Sequence, residues 1–151
     1  MTGPSFDDVY RESRPGLLRL AYLVVGSRAV AEEVVQEAFL RLHQRFPTVE
    51  QPAAYVRVAV VRLAVTTNKR RAMEIDRLER TRARADAPAP ELDETFAAVL
   101  RLRPERRIVL ILRYYEDLPH DEIARLLGCP VVTVRTRVRR ALGDLRKELE
   151  R

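Results

Sequence analysis

The chain has no tryptophan, a single cysteine and only five glycines in 151 residues. One thiol, Cys129, cannot form an intrachain disulfide, so the fold must rest on packing. It falls in a short turn between two apolar runs and reads as a small packing residue. No glycine-rich phosphate loop is present. The two histidines, His43 and His120, stand far apart; with one cysteine they supply no zinc ligand set. Carboxylates such as Glu32-Glu33 and Asp121-Glu122 read as solvated helix surface or as helix N-terminal charge. No catalytic constellation emerges, and the chain is expected to be no enzyme, with no cofactor, metal or small-molecule substrate. No apolar run approaches the roughly 18 residues of a membrane span. Met1–Asp8 lack the basic-then-apolar pattern of a secretory leader. A cytoplasmic protein without membrane insertion is the expectation. Lysine is scarce too, occurring only at Lys69 and Lys147. That arginine bias can reflect genome base composition and says little about function.

What is present is 46% apolar and 33% charged, enough for a packed core in one domain or two small ones. The net charge of +6 suits a polyanionic partner, because each neutralised phosphate releases counterions. Its distribution is uneven. Residues 1–71 carry a net +4, residues 72–94 a net −3 and residues 95–151 a net +5. Two basic blocks therefore flank an acidic connector.

Helical periodicity runs through both blocks. Ser5 and Asp8 form an N-cap signal for a helical stretch over 6–25, with Pro15-Gly16 as an expected break. Gly26-Ser27 reads as a turn. Ala31, Val34, Val35, Ala38, Phe39 and Leu42 follow the helical spacing over 29–45. Phe46-Pro47 ends that helix and Gln51-Pro52 opens another over 53–71. Strand is the rival for the β-branched run Val56–Val65, but its length favours helix. The Ala- and Pro-rich stretch 85–90 marks a linker that begins as a helical extension. Helices are then expected near 92–102, 105–116, 120–128 and 131–149. Pro104 and Pro119 fit first-turn positions. The reading is an all-α protein: a helical domain at 1–71, a linker at 72–94, and a second helical domain at 95–151.

The most informative stretch is Asp121–Leu142. A short apolar helix (Ile123, Ala124, Leu126, Leu127) stops at Gly128, a helix-ending residue type. Pro130 follows, where a new helix can start. Val134, Val138, Ala141, Leu142, Leu145 and Leu149 form one apolar stripe. At about 100° per residue the opposite face carries Val132, Thr133, Thr136, Arg139, Arg140 and Lys147. An arginine-rich helix alone would read as a solvated basic face. The preceding helix and tight turn make it a helix-turn-helix, whose second helix suits the major groove.

Taken with two further segments, the chain resembles the extracytoplasmic-function (ECF) sigma factors of bacterial RNA polymerase over nearly its whole length. Ala31-Glu32-Glu33-Val34-Val35-Gln36-Glu37-Ala38-Phe39-Leu40 is similar to the family's acidic, glutamine-containing region 2 helix. Leu102–Arg107 through Leu112–Leu118, leading into the helix-turn-helix, is similar to region 4. The resemblance implies a factor that binds core polymerase and directs promoter-specific initiation by −35 recognition and −10 melting. Partners implied are core RNA polymerase, promoter DNA and an anti-sigma factor.

The family's roles fall on particular residues here. Core polymerase binding falls on Glu33, Gln36, Glu37 and Leu40. Their acidic face suits a basic helical partner, and equally reads as a solvated helix face. The loop 46–52 corresponds to the family's base-capturing loop, and the next helix to the one that tracks the separated non-template strand. Tyr55, Arg57, Arg62, Asn68, Lys69, Arg70 and Arg71 are candidates there, Tyr55 reading also as a packed core aromatic. For the −35 element, Thr133, Thr136, Arg139 and Arg140 are base-edge candidates. Arg135, Arg137 and Lys147 are phosphate candidates, since most protein–DNA hydrogen bonds go to the backbone.

Three positions depart from the family pattern. The tryptophan usual near Tyr55 is absent, and Val61 stands where a polar residue is common; both bear on −10 specificity. Val132 stands where glycine is frequent, and either touches a thymine methyl or is tolerated at the helix start. A dimeric helix-turn-helix regulator would explain 119–149 but leave 29–71 idle. A sigma-like decoy that binds an anti-sigma protein would not need the arginines of the last helix.

Overall fold

The computed structural model describes residues 3–78 and 93–151, and the side chains of all but 72–78 among them. The chain divides into two compact units, Met1–Pro88 and Ala89–Arg151. Among the described residues all regular structure is helical.

The first unit packs three long helices, α1 (Phe6–Val25), α2 (Arg28–Arg45) and α3 (Pro52–Leu78). Ser5 caps α1 through a reciprocal box. Its hydroxyl accepts the Asp8 N–H at 3.1 Å, and its own N–H donates to the Asp8 carboxylate at 3.2 Å. Such a cap contributes about 0.5–2 kcal/mol. Gly26, at φ 75°, closes α1 by donating to the Tyr22 carbonyl at 2.7 Å. That left-handed conformation is one glycine adopts without Cβ strain. Ser27 then caps α2 at the Val30 N–H. Two residues thus reverse the chain. The core interleaves Leu20, Leu23 and Val24 of α1 with Val35, Phe39 and Leu42 of α2 and Val56, Val60 and Val65 of α3. Each such side chain, fully buried, is worth about 1.5–3 kcal/mol.

The second unit is built from α4 (Glu94–Leu100), α5 (Pro104–Leu110), α6 (His120–Leu127) and α7 (Val131–Leu149). Asp93 caps α4 at the Phe96 N–H, and Pro104 starts α5. Gly128, at φ 68°, ends α6, and Pro130 precedes α7. Val109, Leu112, Ile123, Val134 and Ala141 are among its most buried residues.

The structure differs from the sequence expectations in two places, while the β-branched run of α3 is helical as expected. Helix α1 runs unbroken through Pro15. Pro15 and Gly16 lie on its exposed side, and the buried run after them holds the helix against its neighbours. The helix expected over 105–116 ends in a π turn, Ile111–Tyr115, closed by Asp117 at φ 56°. The Glu116 N–H donates to the Ile111 carbonyl and the Leu118 N–H to the Leu112 carbonyl, both at 3.0 Å. The β-branched run Val56–Val65 lies inside α3, its buried members Val56, Val60, Val61 and Val65 at helical spacing. The connector expected at 72–94 falls largely outside the described residues. Residues 72–78 continue α3, and Asp93 and Glu94 begin α4.

Candidate functional site

Helix α7 has three distinct sides. Val134, Val138 and Ala141 are buried against the rest of the second unit. Beside them, Asp144 and Glu148 turn inward to arginines. Arg106 of α5 pairs with Asp144, and Arg101 donates to Glu148 at 2.8 Å. The helix's two inward acids are thereby matched within the unit. The third side is open: Arg135, Arg139, Arg140 and Lys147 are exposed, and Thr133, Thr136 and Arg137 are half-buried. Val132 is 66% exposed at the second position of the helix, the most exposed large apolar residue described. Leu142 and Leu149, expected on the apolar stripe, are exposed. Leu142 and Leu145 instead edge an apolar cleft of about 440 Å³ with Phe96, Ile111, Tyr114 and Tyr115. Tyr114 stands out at 58% exposure, with the Arg113 guanidinium 5.4 Å from its ring centroid.

In the first unit, α3 and the segment before it enclose an open groove of about 870 Å³. A 3₁₀ turn, Phe46–Thr48, follows α2 and delivers Val49, Glu50 and Gln51 to one wall. The other wall is a single side of α3: Tyr55, Val58, Ala59, Arg62, Thr66 and Arg70. The spacing of Tyr55, Arg62 and Arg70 keeps them on one side of the helix. Arg41 reaches the groove from α2, and its Nε also donates to Glu37 at 3.1 Å. One aromatic ring, three guanidiniums, a carboxylate and an amide therefore converge on one open channel. Such a set can stack a base, hold phosphates and bond a base edge.

On α2 the division of faces is complete. Ala31, Val34, Val35, Ala38, Phe39 and Leu42 are buried, while Glu33, Gln36, Glu37 and Leu40 are exposed, Leu40 at 52%. Leu40 is therefore an exposed apolar side chain set among acids and an amide.

The expected strand-binding set on α3 is split by the structure. Tyr55, Arg62 and Arg70 line the groove, Tyr55 half-buried, so it is both packed and accessible. Arg57 and Lys69 are exposed outside it. Asn68 is a correction: it is only 6% exposed, because it continues the buried stripe Val56, Val60, Val61, Ala64, Val65. Arg71 is also turned inward. Its guanidinium donates to the Val25 carbonyl at 2.9 Å, at the end of α1. Sequence reasoning missed Arg41 as a groove residue and missed the Arg106–Asp144 and Arg101–Glu148 ties. The spacing of Asp144 and Glu148, two acids one turn apart on a basic helix, was the available signal. Among the described residues no group of three His, Cys, Asp or Glu side chains is placed to hold a metal ion. No described helix is long and apolar enough to cross a membrane.

A helix-turn-helix with an open basic face and a separate helical unit with a cationic groove define a two-part nucleic-acid-binding protein. Residues 9–72 match the Sigma-70 region 2 family and residues 92–145 match Sigma-70, region 4. The RNA polymerase sigma-E factor of Streptomyces coelicolor is 30% identical over 154 residues, covering 95% of this chain and 85% of that one. The ECF sigma factor SigW of Bacillus subtilis is 26% identical over 170 residues, covering 94% and 86%. Among solved structures, the sigma factor RpoE of Bartonella quintana, in complex with the anti-sigma factor NepR, is similar in fold. It has a TM-score of 0.71 at 20% identity, with 96% of each chain covered. The Mycobacterium tuberculosis ECF sigma factor SigJ has a TM-score of 0.64 at 24% identity, covering 90% of this chain and 51% of that one. The chain belongs to the ECF sigma factors of bacterial RNA polymerase. It is an alternative sigma factor, binding core polymerase and directing promoter-specific transcription initiation.

Proposed function

We propose that the two units read promoter DNA in two different states. The groove of the first unit takes the separated non-template strand of the −10 element. Tyr55 stacks on a base, Arg62 and Arg70 hold the backbone, and Glu50 and Gln51 meet the edge of an everted base. Arg57 and Lys69 guide the strand outside the groove. Everting a base costs a few kcal/mol, and each stacked base returns about 1–3 kcal/mol. The second unit lays α7 in the major groove of the −35 duplex. Thr133, Thr136, Arg139 and Arg140 face base edges there with Val132, and Arg135, Arg137 and Lys147 face phosphates.

Glu33, Gln36, Glu37 and Leu40 dock on a basic helical surface of core polymerase, whose active centre supplies the chemistry of RNA synthesis. Joining both units in one chain raises the effective concentration of each at its own DNA element. The domain division follows the same lines: 1–71 for polymerase and −10 contacts, 72–94 as connector, and 95–151 for the −35 element. The protein works in the cytoplasm and is held in reserve by an anti-sigma factor, as a partner of that kind accompanies the Bartonella relative.

The observation that carries this reading is the convergence of Tyr55, Arg62 and Arg70 with Glu50 and Gln51 in one open groove. A photoreactive thymine analogue in the non-template strand of a promoter fork tests it. Cross-links from the holoenzyme are expected within residues 49–70. Cross-links confined to α1 would contradict it.

A further inference from the structure

The loop that forms one wall of the groove is braced from the start of the chain. Phe6, the first residue of α1, packs against four rings. It meets His43 at 4.9 Å, Phe46 at 5.8 Å, Phe39 at 6.2 Å and Tyr10 at 6.3 Å between centroids. The contacts with His43, Phe46 and Phe39 are edge-on, a favoured arrangement for aromatic pairs. Phe46 opens the 3₁₀ turn, and its carbonyl accepts the Val49 N–H at 3.2 Å. Val49, Glu50 and Gln51 then form the groove wall, and the Gln51 carbonyl accepts the Tyr55 N–H at 3.0 Å. The wall is therefore tied at one end to α3 and at the other, through Phe46, to Phe6. The Ser5–Asp8 box fixes the backbone of the turn that carries Phe6.

Phe6 is half-buried, at the first position of α1, and is not among the fully buried side chains Leu20, Leu23, Leu42, Val56 and Val60.

We propose that Phe6 is a positioning residue for strand capture, an aromatic clasp that holds the 46–51 wall at its distance from Tyr55 and Arg62. The proposal rests on the groove being the strand site. Phe6 itself touches no DNA; it acts through Phe46.

The test compares Phe6→Ala, Phe6→Tyr and Arg62→Ala as full-length chains assembled with bacterial core polymerase. The promoter is one selected by the wild-type holoenzyme from a randomised library. Two quantities are read: amide exchange of residues 46–51 in the free protein, and strand opening by 2-aminopurine fluorescence in the −10 element. Phe6→Ala is expected to speed exchange in 46–51 but not in the centres of α2 and α3, to keep core affinity, and to slow opening about tenfold. Phe6→Tyr is expected to restore both. If Arg62→Ala slows opening and Phe6→Ala does not, the clasp is overturned and the groove stands. If neither slows opening, the groove reading fails and the clasp with it. Exchange that rises through all three helices of Phe6→Ala would make Phe6 a general packing residue and overturn the proposal.

Discussion

The two units solve opposite problems with the same kind of element. The first presents a concavity: α3 lends one side to a groove, and a short loop supplies the facing wall. The second presents a convex helix side: α7 exposes Arg135, Arg139 and Arg140 beside half-buried threonines, and an apolar cleft lies on another side. A concavity suits a flexible strand whose bases can turn into it. A convex helix side suits a rigid duplex whose major groove admits a helix. Arginine serves in both, so charge alone would not separate them. What separates them is what surrounds the arginines: a tyrosine, a carboxylate and an amide in one case, threonines and a valine in the other.

The polymerase face proposed on α2 belongs to the first unit alone. Glu33→Arg combined with Gln36→Ala reverses charge on an exposed surface without touching the core. Core polymerase affinity is expected to fall by at least tenfold, roughly the scale of a disrupted charged interface. Far-ultraviolet circular dichroism should stay at the wild-type level. Unchanged affinity in co-elution would remove α2 as the docking surface. A smaller effect sharpens the second unit. If Val132 meets a thymine methyl, replacing that thymine by deoxyuridine in the selected upstream element should weaken wild-type binding about threefold, less than the loss of a bidentate base contact. Val132→Ala should be indifferent to the replacement. Equal sensitivity in both proteins would leave Val132 as a tolerated surface residue.

The smallest effect is one of pH and again concerns the first unit. The Ser5 N–H, then the Ser5 hydroxyl and Arg11, hold the Asp8 carboxyl below its ordinary value of 3.8. A depressed folded-state value means the cap's contribution is full above the unfolded value and is lost as pH falls through the folded one. Amide exchange in the first turn of α1, corrected for its intrinsic pH dependence, should therefore rise below about pH 4 in the wild type. In Asp8→Asn it should be flat across that window. A flat wild-type profile would show that Asp8 does not support the turn.

Much of this was legible in the sequence because periodicity reports burial. The inward and outward faces of α2 fell out residue by residue, and Gly26 and Gly128 marked both left-handed helix ends. Proline signals were less dependable: Pro104 opened a helix, while Pro15 was carried inside one by the packing after it. Asn68 misled because residue type suggested a polar contact while its register put it on the buried stripe. Arg41 was missed for the converse reason. Its register lay on the acidic outer face of α2, and only the returning chain after Phe46 turns that position into a groove wall. Ring packing at Phe6 depends on chain crossings that no local pattern encodes.

Under the proposed division of labour, the two units act on different states of the DNA. The most direct measurement is holoenzyme binding to one promoter in two forms, fully duplex and pre-opened over the −10 element. It compares Tyr55→Ala with Arg62→Ala against Arg139→Ala with Arg140→Ala. Division of labour requires a crossed pattern. The groove pair should lose affinity for the pre-opened strand, about tenfold or more by the worth of base stacking, and keep contact with the upstream duplex in footprints. The helix pair should lose the upstream footprint and its sequence preference while still holding the pre-opened strand. Parallel losses in both pairs, on both forms of the promoter, would contradict the account.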